Sequence, residues 1–219
     1  MIRLLDDGAL EQSSVVANCA MNRERRLDGY RRELGLDIAA VLRDRRSDTV
    51  RWLDLCCGTA IALHECARLV DDPRLHITGV DLVDFFARPR HPRVRLEVAS
   101  VTTWTPAHQF DLVTCVHGLH YVGDKLGVLA NAASWLAEDG LLVANLDVAS
   151  IRAEDGRPVG RQLTSALRAN GFEYDGRRRR ISCRGPRDAR LPFRYIGADD
   201  QAGPNYTGQP AVNSIYAAS

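Results

Sequence analysis

The sequence predicts a single doubly wound α/β domain built on a mostly parallel sheet, and three observations predict it. Short apolar runs recur along the chain without polar alternation, as strands buried on both faces require: TVRWLDLCC, LHITGVDL, VRLEVASV, FDLVTCVHG and LLVANLD. Segments with helical spacing lie between several of these runs. The first run ends at a glycine that opens a helix, and the second ends at an aspartate. A chain of 219 residues that is 45% hydrophobic can bury one sizeable core.

The elements follow in order. Residues 1–46 read as an N-terminal helical cap that Gly29 and Gly35 break into short helices. Residues 47–219 carry the sheet. TVRWLDLCC is the first strand, and TAIALHECARLVDD is a helix with Ala62, Cys66 and Leu69 inward and His64, Glu65 and Arg68 outward. LHITGVDL, VRLEVASV and FDLVTCVHG are buried strands two to four. A helix over 125–138 places Leu126, Leu129, Ala133 and Leu136 on one face, and Asp139-Gly140 turns the chain into strand five. A helix over 157–170 closes at Asn170-Gly171. FEYDGRRRRISCR and LPFRYIGA read as antiparallel strands with a tight turn at Asp175-Gly176. The tail, 198–219, is rich in Gly, Pro and Asn and reads as irregular.

Composition narrows the function classes. A formal net charge of +1 argues against a general nucleic-acid binder. Lys125 is the sole lysine, a bias that fits a GC-rich bacterial genome. The six cysteines, Cys19, Cys56, Cys57, Cys66, Cys115 and Cys183, match no zinc spacing and read as buried thiols, so no metal is expected. No apolar run approaches the roughly 20 residues of a membrane span. The acidic start MIRLLDDGALEQSS does not read as a signal peptide, so a cytoplasmic location is expected.

The informative segment is LDLCCGTA, residues 53–60, between a strand and a helix. Gly58 permits a sharp turn beside a ligand, and Asp81, 23 residues later, can accept hydrogen bonds from both ribose hydroxyls. A dinucleotide loop needs G-x-G-x-x-G, because pyrophosphate must lie against the backbone. This loop has one glycine, and Asp54 precedes it. An acid repels pyrophosphate but suits a sulfonium or ammonium group, which favours S-adenosylmethionine over NAD.

These residues resemble a class I S-adenosylmethionine-dependent methyltransferase of the small-molecule type. LDLCCGTA resembles the first motif, an acid followed by G-x-G-x-G. ITGVDL resembles the second, and EVASVTTW, FDLVTCVHGLHYV and LAEDGLLVANLD resemble the later ones in order. The match covers residues 50–147 and implies a seven-stranded Rossmann-like sheet. It further implies that Asp54 organises the loop and the methionine amino group, and that Cys56, Gly58 and Ala60 occupy the three glycine positions. Asp81 would hold the ribose, with Leu82 against the adenine. Ser100, beside Val101, stands where the family often has an acid that reads the adenine amino group. Val116 and His117 would lie under the cofactor. Two glycines are replaced by small residues, and Trp104 is a candidate for stacking on adenine.

Methyl transfer from a sulfonium needs alignment, exclusion of water and, for a protonated nucleophile, a base. His117, His120 and Tyr121 are the catalytic candidates. Asn22, Arg23, Arg25 and Tyr30, with Asn205 and Tyr206 in the tail, are candidates for binding substrate or the cofactor carboxylate. The run Arg177 to Arg180 reads as a charged strand. The leading expectation is methylation of a small molecule, such as a specialised metabolite. The alternatives are an RNA or protein methyltransferase, and a non-catalytic homologue that binds the cofactor. The sequence leaves the oligomeric state open.

Overall fold

The computed structural model describes residues 4–17 and 24–218. Asn22, Arg23 and Cys19 fall outside them. The central sheet has seven strands: β1 (Val50–Leu55), β2 (Leu75–Asp81), β3 (Val94–Val98), β4 (Phe110–Cys115), β5 (Leu136–Asn145), β7 (Glu173–Asp175) and β8 (Arg180–Arg184). Their order is β3-β2-β1-β4-β5-β8-β7. The first five are parallel, and β8 runs antiparallel to both β5 and β7. Strand order reverses between β1 and β4, which places the ligand crevice at their carboxyl ends.

Apolar residues fill both faces because β1 and β4 are buried along nearly their whole length. One face is covered by α3 (Leu27–Leu34), α4 (Ile38–Arg43) and α5 (Ile61–Val70), packed on Trp52, Ile77 and Leu112. The other carries α6 (Lys125–Ser134) and α7 (Gly160–Ala169) around Leu53, Val113 and Leu142. The short helices are set by local chemistry. Asp37 and Asp124 accept from backbone N–H groups two residues into α4 and α6, at 3.0 and 2.9 Å.

Several expectations need correction. Gly29 lies inside α3, and Gly35 alone ends it, at φ 64°. In α5 the inward stripe is Ala62, Leu63, Cys66 and Ala67; His64 is buried and Leu69 is exposed. His64 turns inward because its Nδ1 accepts from His91 N at 3.1 Å. β3 is an edge strand and only partly buried. The sixth helix ends at Ser134, and Leu136 already pairs with Phe110, so β5 starts before the Asp139-Gly140 pair. The β7–β8 turn is longer than two residues, because Asp175 Oδ1 accepts from both Arg177 N and Arg178 N.

The tail is not irregular throughout. A second sheet joins β6 (Ile151–Ala153), β10 (Asn213–Ala218) and β9 (Phe193–Asp199) in the order β6-β10-β9. Ile215 and Tyr216 are buried in it, and Tyr216 Oη accepts from Leu126 N at 3.0 Å. α1 (Asp7–Glu11) and α2 (Ser14–Ala17) lie against this sheet. Leu5 exchanges two backbone hydrogen bonds with Ala198, and Leu10 and Val16 pack on Ala198 and Val212. Lys125 Nζ donates to Val122 O, Val212 O and Ser214 Oγ at 3.1, 2.8 and 2.7 Å, tying the tail to the loop after β4.

Candidate active site

A pocket enclosing about 740 Å³, part of it open to solvent, lies at the carboxyl ends of β1, β2 and β3. The loop after β1 provides its floor. Cys56, Gly58 and Ala60 all have φ between 56° and 60°, so the loop keeps the left-handed turns that glycine makes easily, although two side chains pay about 1–2 kcal/mol each. Gly58 N donates to Asp81 Oδ2 at 2.8 Å, and Val83 N donates to Oδ1 at 3.2 Å. Gly58 and Asp81 therefore face one crevice. A carboxylate accepts up to about four hydrogen bonds, and Asp81 lines the pocket.

Of the expected cofactor residues, Cys56, Gly58, Asp81, Leu82, Ser100 and Val101 line this pocket. Asp54, Ala60 and Val116 do not; each is fully buried behind the wall. Asp54 accepts from Tyr30 Oη and Thr114 Oγ1, both at 2.5 Å. Burial pushes its carboxyl up to about 6, against the pull of those two hydrogen bonds and of Arg25. Tyr30 is accordingly a core residue, edge-on to Trp52, and not a surface for substrate. Arg25 does line the pocket, and its Nη2 donates to Cys56 O at 2.9 Å. Trp104 is turned away: its Nε1 donates to Glu97 at 2.9 Å and its ring meets Trp135 edge-on.

Among the catalytic candidates, Tyr121 lines the pocket and the two histidines do not. His117 Nε2 lies 3.2 Å from Glu33, and its Nδ1 lies 3.4 Å from His120 Nε2. Burial holds both imidazoles below their usual range, His120 at about 3; the Glu33 charge partly opposes this for His117. The His120 ring meets Tyr206 edge-on, and Arg179 lies 3.8 Å over the far ring. Tyr206 thus packs on the histidine side, and Asn205 shapes a turn by accepting from Thr207 N at 2.8 Å. Arg180, from the same basic run, donates to Leu34 O at the end of α3 at 2.5 Å.

Sequence reasoning missed Asp7 and Glu11, which reach the pocket from α1, and Asn145, whose Oδ1 accepts from His117 N at 3.2 Å. No local pattern marks them, since they meet the site through contacts far apart in the chain. Among the described residues, Asp7, Glu11 and Asp81 bring three carboxylates to the pocket lining and Arg25 a guanidinium.

An open parallel sheet with a glycine turn after β1 and an aspartate closing β2 defines a protein that binds a nucleoside-bearing cofactor at its strand ends. Residues 21–159 match the family described as a methyltransferase domain, and the chain belongs to that family. No curated protein matches it. Among solved structures, the chain is similar to an amino pentose methyltransferase from Micromonospora echinaspora, CalS10, at 28% identity over 59% of this chain and 55% of that one, TM-score 0.44. It is also similar to Streptomyces venezuelae DesVI, at 24% identity over 60% and 56% of the two chains, TM-score 0.41. The N-methyltransferase NodS from Bradyrhizobium japonicum aligns at 13% identity over 82% and 98%, TM-score 0.48. The first of these matches spans little more than half of the solved chain. Among the described residues, no helix is long and apolar enough to cross a membrane.

Proposed function

We propose that the protein binds S-adenosylmethionine in the strand-end pocket and catalyses transfer of its methyl group to a small molecule. One observation carries the reading: in a chain of the methyltransferase-domain family, Gly58 and Asp81 meet in a pocket whose described lining holds three carboxylates and one arginine. That charge balance favours a cationic ligand and repels a pyrophosphate. Among the described residues, the pocket lining lacks the basic surface that a nucleic acid requires.

The roles follow from the atoms on offer. The bound sulfonium supplies an activated methyl group. Asp81 holds vicinal hydroxyls, and Arg25 is placed to pair with a carboxylate beside the Cys56 carbonyl. Asp54 acts indirectly, by fixing Tyr30 and Thr114 behind the loop. The acceptor lies between Tyr121 and the apolar Leu10 and Val16 of α1 and α2, which act as a cap, while α3 and α4 pack on the sheet face. His117 and His120 position the loop after β4 and do not touch the acceptor. A bacterial cytoplasm suits the lysine-poor, thiol-containing chain.

Calorimetry with S-adenosylmethionine and S-adenosylhomocysteine, followed by a coupled assay for S-adenosylhomocysteine release, tests this. Binding of both, with turnover on a member of an amine and alcohol panel, is expected. Turnover confined to RNA or protein would overturn the acceptor class. Binding without turnover on any acceptor would leave a non-catalytic homologue, and no binding would overturn the cofactor.

A further inference from the structure

We infer that Glu11 recognises the amino group of the cofactor's adenine ring, supplied from α1 in place of a carboxylate on the sheet; this rests on the cofactor reading above. The strand order carries the first step. Gly58 and Cys56 follow β1, Asp81 ends β2, and Ser100 and Val101 follow β3, in the spatial sequence β1-β2-β3. A ligand with its sulfonium end near β1 and its ribose on Asp81 extends its base over the loop after β3.

At that place the sheet offers only a hydroxyl. Ser100 Oγ lies 2.8 Å from Thr102 Oγ1 and 3.3 Å from Thr102 N, which donates to it. Its own proton is directed to Glu11 Oε1. The serine is therefore committed to neighbours within the protein. Glu11 is not: one serine uses one of about four acceptor positions on a carboxylate. Glu11 lines the same pocket and is only partly buried.

Glu11 is also held in place. Asp6 accepts from Ala9 N at 2.8 Å at the start of α1, the Leu5–Ala198 bridge fixes the chain before it, and buried Leu10 anchors it to Val212. A fixed acceptor next to a purine C6 prefers an exocyclic amine, which donates, over an oxo group, which only accepts. An acceptor facing an oxo group leaves two oxygens opposed.

The test compares affinity for S-adenosylhomocysteine with affinity for S-inosylhomocysteine, its 6-oxo counterpart, by calorimetry. Wild type is expected to prefer the amine on the order of 10- to 100-fold, the value of a charge-assisted hydrogen bond. Glu11→Gln, whose amide can accept or donate by rotation, should bring the two within about threefold, and Ser100→Ala should retain most of the preference. Thermal melts check that both variants stay folded, and Glu11→Ala repeats the test without a polar end group. A wild type blind to the 6-position, or a folded Glu11→Gln with its preference intact, overturns the inference while leaving the cofactor reading in place. Equal loss in Ser100→Ala and Glu11→Gln would make Glu11 a latch for α1 and also overturn it. A wild type that binds neither nucleoside overturns the cofactor reading itself.

Discussion

The two halves of the strand-end crevice differ sharply. Over β1–β3 it is open, with Asp81, Glu11 and Asp7 facing a pocket. Over β4–β5 it is filled: His117, His120 and Asn145 are buried, and Tyr206 and Arg179 lie on top. Both halves carry polar side chains at the same level of the sheet. The difference comes from what returns to cover them. α1 and α2 arch over the first half and leave space, whereas the loop before β10 and the β7–β8 turn pack into the second. Residue type at a strand end therefore does not by itself identify a reactive group. The elements folded above it decide whether a ligand can reach it.

The largest effect that would break this contrast is at Asp81. Asp81→Ala removes the acceptor for Gly58 N and Val83 N as well as the proposed ribose partner. Affinity for S-adenosylhomocysteine should fall by about 1.5–3 kcal/mol, the range for hydrogen bonds to a charged group. Unchanged affinity in a folded variant, measured by calorimetry, would mean that the ligand does not use the open half.

The filled half should show itself in stability and not in binding. His120 has a folded pKa of about 3 against 6.5 for a free imidazole, because burial disfavours its charged form. The unfolded chain thus binds the extra proton. The stabilisation is intact above pH 6.5 and is lost as the pH falls toward 3. His117 shifts in the same direction. His120→Gln should be less stable than wild type at pH 7, through lost packing on Tyr206, and this gap should shrink by about 1–2 kcal/mol by pH 4.5. Urea melts across that range measure it. A gap that stays constant would place His120 in contact with solvent.

Much of the fold was legible because buried parallel strands leave continuous apolar runs, and because Gly58 and Asp81 end two of them. Those signals are local. The second sheet was not legible: VNSIYAA follows a loop rich in Gly, Pro and Asn, and its burial depends on Leu5, Leu126 and Lys125, distant in sequence. The site divided along the same line. Pocket residues on the loops after β1, β2 and β3 could be read from motif spacing. Asp54 and Tyr30 could not be placed, because a buried acid and a pocket acid look alike until the tyrosine is seen to satisfy the acid. Glu11 had no motif at all, since its partner Ser100 lies 89 residues away.

The smallest effect concerns the wall between the halves. Cys56 lines the open pocket, yet its thiol fills the space where a side chain on Gly118 would sit, next to Cys115. It holds this position at φ 56°, a conformation that costs a non-glycine residue about 1–2 kcal/mol. Cys56→Gly removes that strain. Against it stand the extra freedom of glycine in the unfolded chain, about 0.5–1 kcal/mol, and the lost burial of the thiol and its methylene, about 1 kcal/mol. The terms nearly cancel, and the variant should be destabilised by under about 1 kcal/mol in urea melts. Ala60→Gly relieves comparable strain at φ 60° but gives up only a methyl group, so it should be the more stable of the two. The reverse order would show that Cys56 does not act as a wedge between the open and filled halves, and that the partition is held by the backbone of the loop alone.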